Sequence, residues 1–371
     1  MDVQQPLALL GGLSPAQFMR RHWHKKPLLV RQAIAGFKPL LARAELLDLA
    51  WRYVVESRFI QDKGGQWVLR HGPLARRSLP PLATPRWTAL VQGVDLHHEG
   101  VHALMQQFRF VPEARLDDLM ISYATDGGGV GPHFDNYDVF LLQAHGQRRW
   151  RIGRQKDKTL RSGLPLKILA AFEPEEEHVL EPGDMLYLPP GWAHDGIAVG
   201  ECMTYSIGFR SPNGAQLAHE VLQRMAEGAA DEEGAIYRDA QQPAVAGPGA
   251  IPAELQDFAR QAVQRALAQP QALECALGEA LTEPKPNVWF EPAEAGGMLE
   301  CLTLDRRTRM MYDDKHVFIN GESYRASGRD ATLMRRLADE RRLEPRDLVR
   351  ASDEALELLS AWCEAGWAHA R

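Results

Sequence analysis

The sequence predicts an α+β fold: a β-rich centre that holds the chemistry, helices ahead of it, a helical region behind it and a small mixed module at the end. Three observations lead there. From Leu119 to Pro212 the chain reads as short apolar strands punctuated by Gly and Pro, the pattern of an all-β barrel or sandwich. Within that stretch a glycine-rich loop runs into His133-Phe-Asp135, and a second turn, Pro189-Pro-Gly191, runs into His194. After Pro212 the composition shifts towards Ala, Gln and Glu. Strands at this spacing, with metal-ligand types gathered at one end, give a double-stranded β-helix, the jelly roll of the cupin type.

The elements follow in order. Ser14-Pro15 starts a helix, with Ser as N-cap and Pro at the first position, that runs through Phe18 and His22 until Pro27 stops it. Leu28 to Val30 is a short strand, Ala44 to Ser57 a helix, Gln66 to Leu69 a strand and Arg86 to Leu96 another helix. His22 and His24, beside two lysines, and the pair His97-His98 read as solvated polar residues, not ligands. Strands are expected at Met120 to Ala124, Val139 to Leu142 and Met185 to Leu188, and His145-Gly146 marks a hairpin leading into Gln147 to Gly153. His194 then falls just beyond a strand end, and His178 in a solvated acidic loop. In Thr204 to Phe209, Tyr205, Ile207 and Phe209 share a core face.

Asn213 caps a helix through Met225, and Pro252 to Ala268 carries Leu255, Phe258, Val263 and Leu267 along one side. The Pro/Gly/Ala-rich stretch between them, Gln241 to Pro252, is a loop. The last module has strands at Met298 to Leu304 and Val317 to Arg325, the latter bent at Asn320-Gly321, a type I′ hairpin signal. Helices follow at Ala331 to Arg341, Pro345 to Arg350 and Ser352 to Ala365. Together these make a winged-helix-like domain. The expected boundaries are 1–212, 213–282 and 283–371.

The candidate site begins with His133 and Asp135. Two apart on a strand, they face the same way and can reach one ion; His194 supplies a third ligand. Two histidines and one carboxylate form the facial triad that holds Fe(II) and leaves positions open for substrate and O₂, whereas a structural zinc needs a closed fourth ligand and no cysteine lies nearby. By parity Arg148 shares a face with Trp150 and Ile152, so if these two face the core Arg148 does too. A guanidinium there needs an anion: a dicarboxylate cosubstrate bound to the metal at its other end, or a buried Asp or Glu of the chain itself, unless a bulge breaks the alternation. Ser122 is a strand hydroxyl just ahead of the glycine loop, and Tyr137 is placed either to line the mouth against a substrate or to serve as a core or rim residue.

These stretches, SYATDGGGVGPHFDNYDVFLLQAHGQRRWRIG, EPGDMLYLPPGWAHDG and TYSIGFRSP, together with the opening SPAQFMRRHWHKKPLLV, resemble the bacterial ribosomal oxygenases, a branch of the Jumonji-C group of 2-oxoglutarate- and Fe(II)-dependent oxygenases. The resemblance runs the whole length. It implies that His133, Asp135 and His194 bind iron, and that Arg148 with Ser122 holds the distal carboxylate of 2-oxoglutarate, with O₂ as co-reactant. It implies hydroxylation of an arginine at its β-carbon in the sixteenth large-subunit ribosomal protein, and a helical dimerisation region that makes a homodimer, the alternative being that the apolar face of those helices packs on the chain's own barrel. Human relatives hydroxylate histidines in other ribosomal proteins, so a histidine hydroxylase or lysine demethylase on the same scaffold is one alternative. A non-catalytic dimeric ribosome-associated factor is another.

Composition narrows the classes further. With 45% hydrophobic and 25% charged residues and a formal charge of −6, the chain is not one that coats nucleic acid. From Arg329 to Arg350, seven arginines are offset by five acidic residues, so no phosphate-binding stripe is visible and direct nucleic-acid binding is not expected. Four cysteines without C-x-x-C spacing read as free thiols, and the start lacks a basic, apolar leader. The expectation is a cytoplasmic protein with no membrane span.

Overall fold

The structure, a computed structural model, describes residues 2–230, 234–293 and 300–370. It divides into two compact units, Met1–Ser211 and Pro212–Arg371.

The first unit opens with α1 (Pro15–Arg21), where Ser14 and Gln17 form a full capping box, and β1 (Leu28–Val30). Helix α2 covers only Arg43–Ala50, shorter than expected, because Ser57 donates to the Ala50 carbonyl and already begins β2 (Ser57–Asp62). Strands β3 (Trp67–His71) and β4 (Trp87–Val91) follow. The helix expected over Arg86 to Leu96 is a correction. All five residues of β4, Thr88 included, are buried and pair with β2 on one side, so a mostly apolar run has gone to a central strand. Gly93, at φ 58, ends it ahead of a 3₁₀ turn at Val94–Leu96. Helix α3 (Glu99–Gln106) was not anticipated; His98, read as solvated, caps it by accepting from the Val101 amide.

Strands β5 (Leu116–Ala124), β6 (His133–Phe134), β7 (Asp138–Arg154), β8 (Glu176–Leu180), β9 (Met185–Leu188) and β10 (Trp192–Phe209) complete a ten-stranded antiparallel sheet in the order β1-β9-β7-β10-β5-β4-β2-β3, with β6 on β10 and β8 on β7. His178 therefore lies on β8, not in a loop. The long strands β7 and β10 run antiparallel over their whole lengths, so His145-Gly146 is not a hairpin. It is a bulge: the pairing jumps from Gln147↔Val199 to His145↔Met203. Gly146 is required there, since φ is 59° and a Cβ would sit 2.0 Å from the Glu201 carbonyl oxygen. The bend lets one half of β10 line a metal site while the other half builds core. Tyr205, Ile207 and Phe209 on that half are at most 1% exposed and pack with Phe18, Phe140 and Tyr187.

The second unit holds α4 (Gly214–Ala230), α5 (Ala253–Leu267) and α6 (Ala272–Thr282), then β11 (Leu302–Leu304), β12 (Met310–Tyr312), β13 (His316–Ile319), β14 (Glu322–Arg325), α7 (Gly328–Glu340), β15 (Arg342–Leu343), α8 (Pro345–Leu348), α9 (Asp353–Glu364) and β16 (Ala368–Ala370). Asn213 accepts from the Ala215 and Gln216 amides at the start of α4. Met298 and Leu299, the first residues of an expected strand, lie outside the described residues. The Asn320-Gly321 turn has φ of 49° and 90°, as a type I′ turn demands, and joins β13 to β14. Helix α6, absent from the sequence reading, packs on this hairpin: Ser323 donates to Glu279, and Thr282 accepts from the Gly321 amide.

Candidate metal and cosubstrate site

His133 and His194 face one another across β6 and β10, paired in register, with ring centroids 4.3 Å apart. His194 is therefore inside a strand, its third residue, and not beyond a strand end. Asp135 lies just past the two-residue β6, held where its own carbonyl accepts from the Gly191 amide at 2.7 Å. Each imidazole has its Nδ1 on a backbone carbonyl, His133 on Gly131 at 2.9 Å and His194 on Trp192 at 3.0 Å. A carbonyl only accepts, so both Nδ1 atoms carry the proton and both Nε2 atoms present bare lone pairs. Those Nε2 atoms stand 3.9 and 3.6 Å from one Asp135 oxygen, and the three ligand atoms lie within 4.8 Å of one another. Three lone-pair donors converge with no hydrogen between them, an arrangement that fits a bound cation. Burial, reinforced by His133, pushes His194 down to about 4, so it is neutral and able to ligate at physiological pH.

The register then places the remaining candidates on the same sheet face. Residues directly opposite in a pair share a face. On β10 this face holds His194, Gly196 and Ala198; opposite them on β7 are Ile152, Trp150 and Arg148. Beyond the bulge, Cys202 lies opposite Ala124, and Thr204 lies opposite Ser122 on β5. Arg148 is 4% exposed, and among the described residues no carboxylate pairs with it. Its Nε has no hydrogen-bond partner, and its Nη2 donates only to the Cys202 sulfur, at 3.5 Å. The parity argument thus holds, and the alternative of a buried Asp or Glu partner does not. Trp150 bridges the two ends of the site: its ring is 5.9 Å from that of His194 and 5.7 Å from the Arg148 guanidinium carbon. Ser122 is buried, and its hydroxyl reaches the Thr204 carbonyl at 3.4 Å.

At the mouth, Tyr137 is 41% exposed, so it is not a core residue. Its phenol is raised well above the usual range, first by partial burial and then by the charges of Asp135 and Asp118. Asp118 was missed in the sequence. It alternates with Met120 and Ser122, so it belongs to the site face of β5, and it accepts from the Gly93 amide at 2.9 Å. His24 is also no ligand: its Nε2 lies 2.7 Å from the buried Asp138, which Tyr187 and Arg115 share. All four cysteines are free thiols.

An antiparallel jelly roll with a two-histidine, one-carboxylate site and a buried unpaired arginine on the same face defines a mononuclear metal oxygenase of the cupin type that takes an acidic cosubstrate. Residues 103–217 match the JmjC domain family, and residues 264–369 match the ROXA-like winged helix. The chain is 37% identical over 284 residues to the ribosomal protein uL16 3-hydroxylase of Escherichia coli (strain K12), covering 75% of this chain and 74% of that protein. An X-ray structure of E. coli YcfD superposes with a TM-score of 0.83 at 31% identity, covering 96% of this chain and 98% of that one. YcfD, a ribosomal oxygenase from E. coli, in complex with cobalt and 2-oxoglutarate, superposes with a TM-score of 0.77 at 31% identity, covering 95% and 97%. This chain belongs to the ribosomal oxygenases, the JmjC family of the uL16 3-hydroxylase. It is a 2-oxoglutarate-dependent oxygenase that uses Fe(II), with a ROXA-like winged helix as its C-terminal domain.

Proposed function

We propose that this enzyme hydroxylates the β-carbon of an arginine in the large-subunit ribosomal protein uL16. The observation that carries the reading is the pairing, on one sheet face, of three converging metal-ligand atoms with a buried arginine that has no acidic partner. His133, Asp135 and His194 hold the iron; Arg148 and Ser122 take the distal carboxylate of 2-oxoglutarate. Bound iron, with 2-oxoglutarate and O₂, supplies the oxidising power to insert oxygen into a C–H bond, 2-oxoglutarate leaving as succinate and CO₂. The chain's part is geometric. The Gly131 and Trp192 carbonyls lock both imidazoles in the ligating tautomer. Trp150, Ile152 and Leu180 exclude water along the path from metal to arginine.

Arginine as the target is supported at the mouth. Tyr137 offers a ring face to a guanidinium, and the Asp118 carboxylate acts on the same phenol more strongly than the Arg58 guanidinium, a balance that favours a cationic side chain over a neutral one. A homodimer is supported by α5, in which no residue is buried, while Leu255, Val263 and Leu267 are exposed. A helix of 15 residues is marginal alone and needs a packing partner. A protein substrate made in the cytoplasm supports a cytoplasmic enzyme. Helix α9, with Asp353, Glu354, Glu357, Glu364 and no basic residue, supports the absence of direct nucleic-acid binding.

The test is reaction of the Fe(II)-loaded enzyme with 2-oxoglutarate, air and purified uL16, followed by intact mass and succinate. A gain of one oxygen, about 16 Da, on an arginine, coupled to succinate, is expected. Loss of a methylene would mean demethylation, oxygen on a histidine would mean the other hydroxylase, and neither signal would leave a binding factor.

A further inference from the structure

Resting on the assignment of Arg148 to the cosubstrate's distal carboxylate, we propose that Cys202 is a positioning residue: its thiol aims the Arg148 guanidinium without neutralising it. A cation buried to this degree is costly unless something holds it until the ligand arrives. Here the holder is a sulfur, at 3.5 Å from Nη2, in a patch where the neighbouring side chains are Ala124 and Ala198. Cys202 is fully buried.

The chemistry of the acceptor is the point. A carboxylate at this position would form a closed ion pair with Arg148 and compete directly with 2-oxoglutarate. A purely apolar side chain would leave Nη2 with no acceptor and the guanidinium free to swing. A neutral thiol does neither: as a weak acceptor it orients the group, and the full positive charge stays available. The two alanines leave the floor clear; Trp150 lies against the guanidinium with its ring, and the sulfur is the hydrogen-bond acceptor that fixes where Nη2 points.

The experiment measures 2-oxoglutarate affinity by calorimetry on full-length, Co(II)-loaded enzyme under anaerobic conditions, so no turnover is needed. Cys202→Val removes the acceptor while adding only one methyl group, and so stays apolar and close in size; it should weaken binding about three- to tenfold. Cys202→Ser restores an acceptor and should rescue affinity to within about twofold of wild type. Cys202→Asp should weaken it at least about a hundredfold, because an internal ion pair takes the guanidinium. Co(II) affinity and thermal melting should stay near wild type in Val and Ser, which shows that they fold. Binding of 2-oxobutyrate, which lacks the distal carboxylate, should be the same in Val, Ser and wild type.

Wild-type 2-oxoglutarate affinity in Cys202→Val, or in a folded Cys202→Asp, would overturn the proposal. Equal weakening in Val and Ser would also overturn it, since shape and not the acceptor would then matter. Arg148→Ala is the control for the underlying assignment: if it binds 2-oxoglutarate normally, the cosubstrate reading itself fails. If it loses affinity while the Cys202 variants do not, only the role of the thiol fails.

Discussion

On the role proposed for Arg148, replacing it by Met separates function from stability, because the buried charge that would serve the ligand burdens the empty enzyme. Arg148 is 4% exposed and has no carboxylate partner among the described residues. When 2-oxoglutarate binds, two charge-assisted hydrogen bonds of about 1.5–3 kcal/mol each become available. Losing the pair should cost about 3–5 kcal/mol, a rise in the 2-oxoglutarate dissociation constant of roughly 10²- to 4 × 10³-fold. In the ligand-free protein the sign reverses. A side chain of similar reach without charge removes an uncompensated cation from the apolar neighbourhood of Ala124, Ala198 and Trp150. The Met variant should therefore melt no earlier than wild type without ligand, while the shift in melting temperature that 2-oxoglutarate produces in wild type disappears. Calorimetry with 2-oxoglutarate and melting with and without it read both effects. A variant that keeps its affinity within threefold, or one whose ligand-free form is clearly destabilised, would refute the account. The first would mean that the carboxylate sits elsewhere, the second that Arg148 serves the fold.

Three further outcomes are expected. Asp135→Ala deletes the one anionic ligand and should weaken metal binding by at least about a hundredfold, more than loss of an outer hydrogen-bond partner would; His133→Ala should abolish turnover. Both are read by metal titration and by succinate formation. In the winged helix, Asp305 is buried, which opposes its ionisation, yet hydrogen bonds from Arg307 at 2.7 Å and His369 at 2.9 Å hold its carboxyl down at about 2. A depressed folded pKa stabilises above the unfolded value and is lost as pH falls through the folded one. Asp305→Asn should thus cost about 2 kcal/mol at pH 7, and the gap should close between about pH 4 and pH 2 in urea melts. For the proposed dimer, Val263→Asp with Leu267→Glu on α5 should turn a wild-type dimer into a monomer by light scattering with the metal site intact; a wild type that is itself monomeric would refute the proposal.

What could be read from the sequence was whatever rests on local spacing. His133 and Asp135 are two apart, and the parity of Arg148, Trp150 and Ile152 is a property of consecutive residues, so both survive without knowledge of the pairing. The Asn320-Gly321 turn is legible for the same reason: its two positive φ angles belong to the residues themselves. The failures share the opposite cause. Trp87 to Val91 is a short, mostly apolar run with no period, interrupted by Thr88, and only its burial between β2 and β5 makes it a strand. His145-Gly146 carries a turn signal, yet the 17 residues of β7 stay paired along the 18 of β10, so the same glycine becomes a bulge.

The second half of the site follows from this distinction. Cys202 is 54 residues from Arg148, and the contact exists because β7 and β10 pair antiparallel and alternation along β10 keeps Cys202 on the face of Ala198, the residue opposite Arg148. Ser122 reaches that face through its pairing with Thr204, 82 residues away, and Asp118 through alternation with Ser122 on β5. A facial triad can be proposed from two short motifs. The groups proposed to orient its cosubstrate depend on the pairing of three strands beside the bulge at Gly146, so a change at Gly146, though it touches no ligand, should weaken 2-oxoglutarate binding in calorimetry before it weakens metal binding. Gly146 lies two residues from Arg148 and far along β7 from Ile152, the residue opposite His194, and the disturbance has to pass through Trp150 to reach the ion.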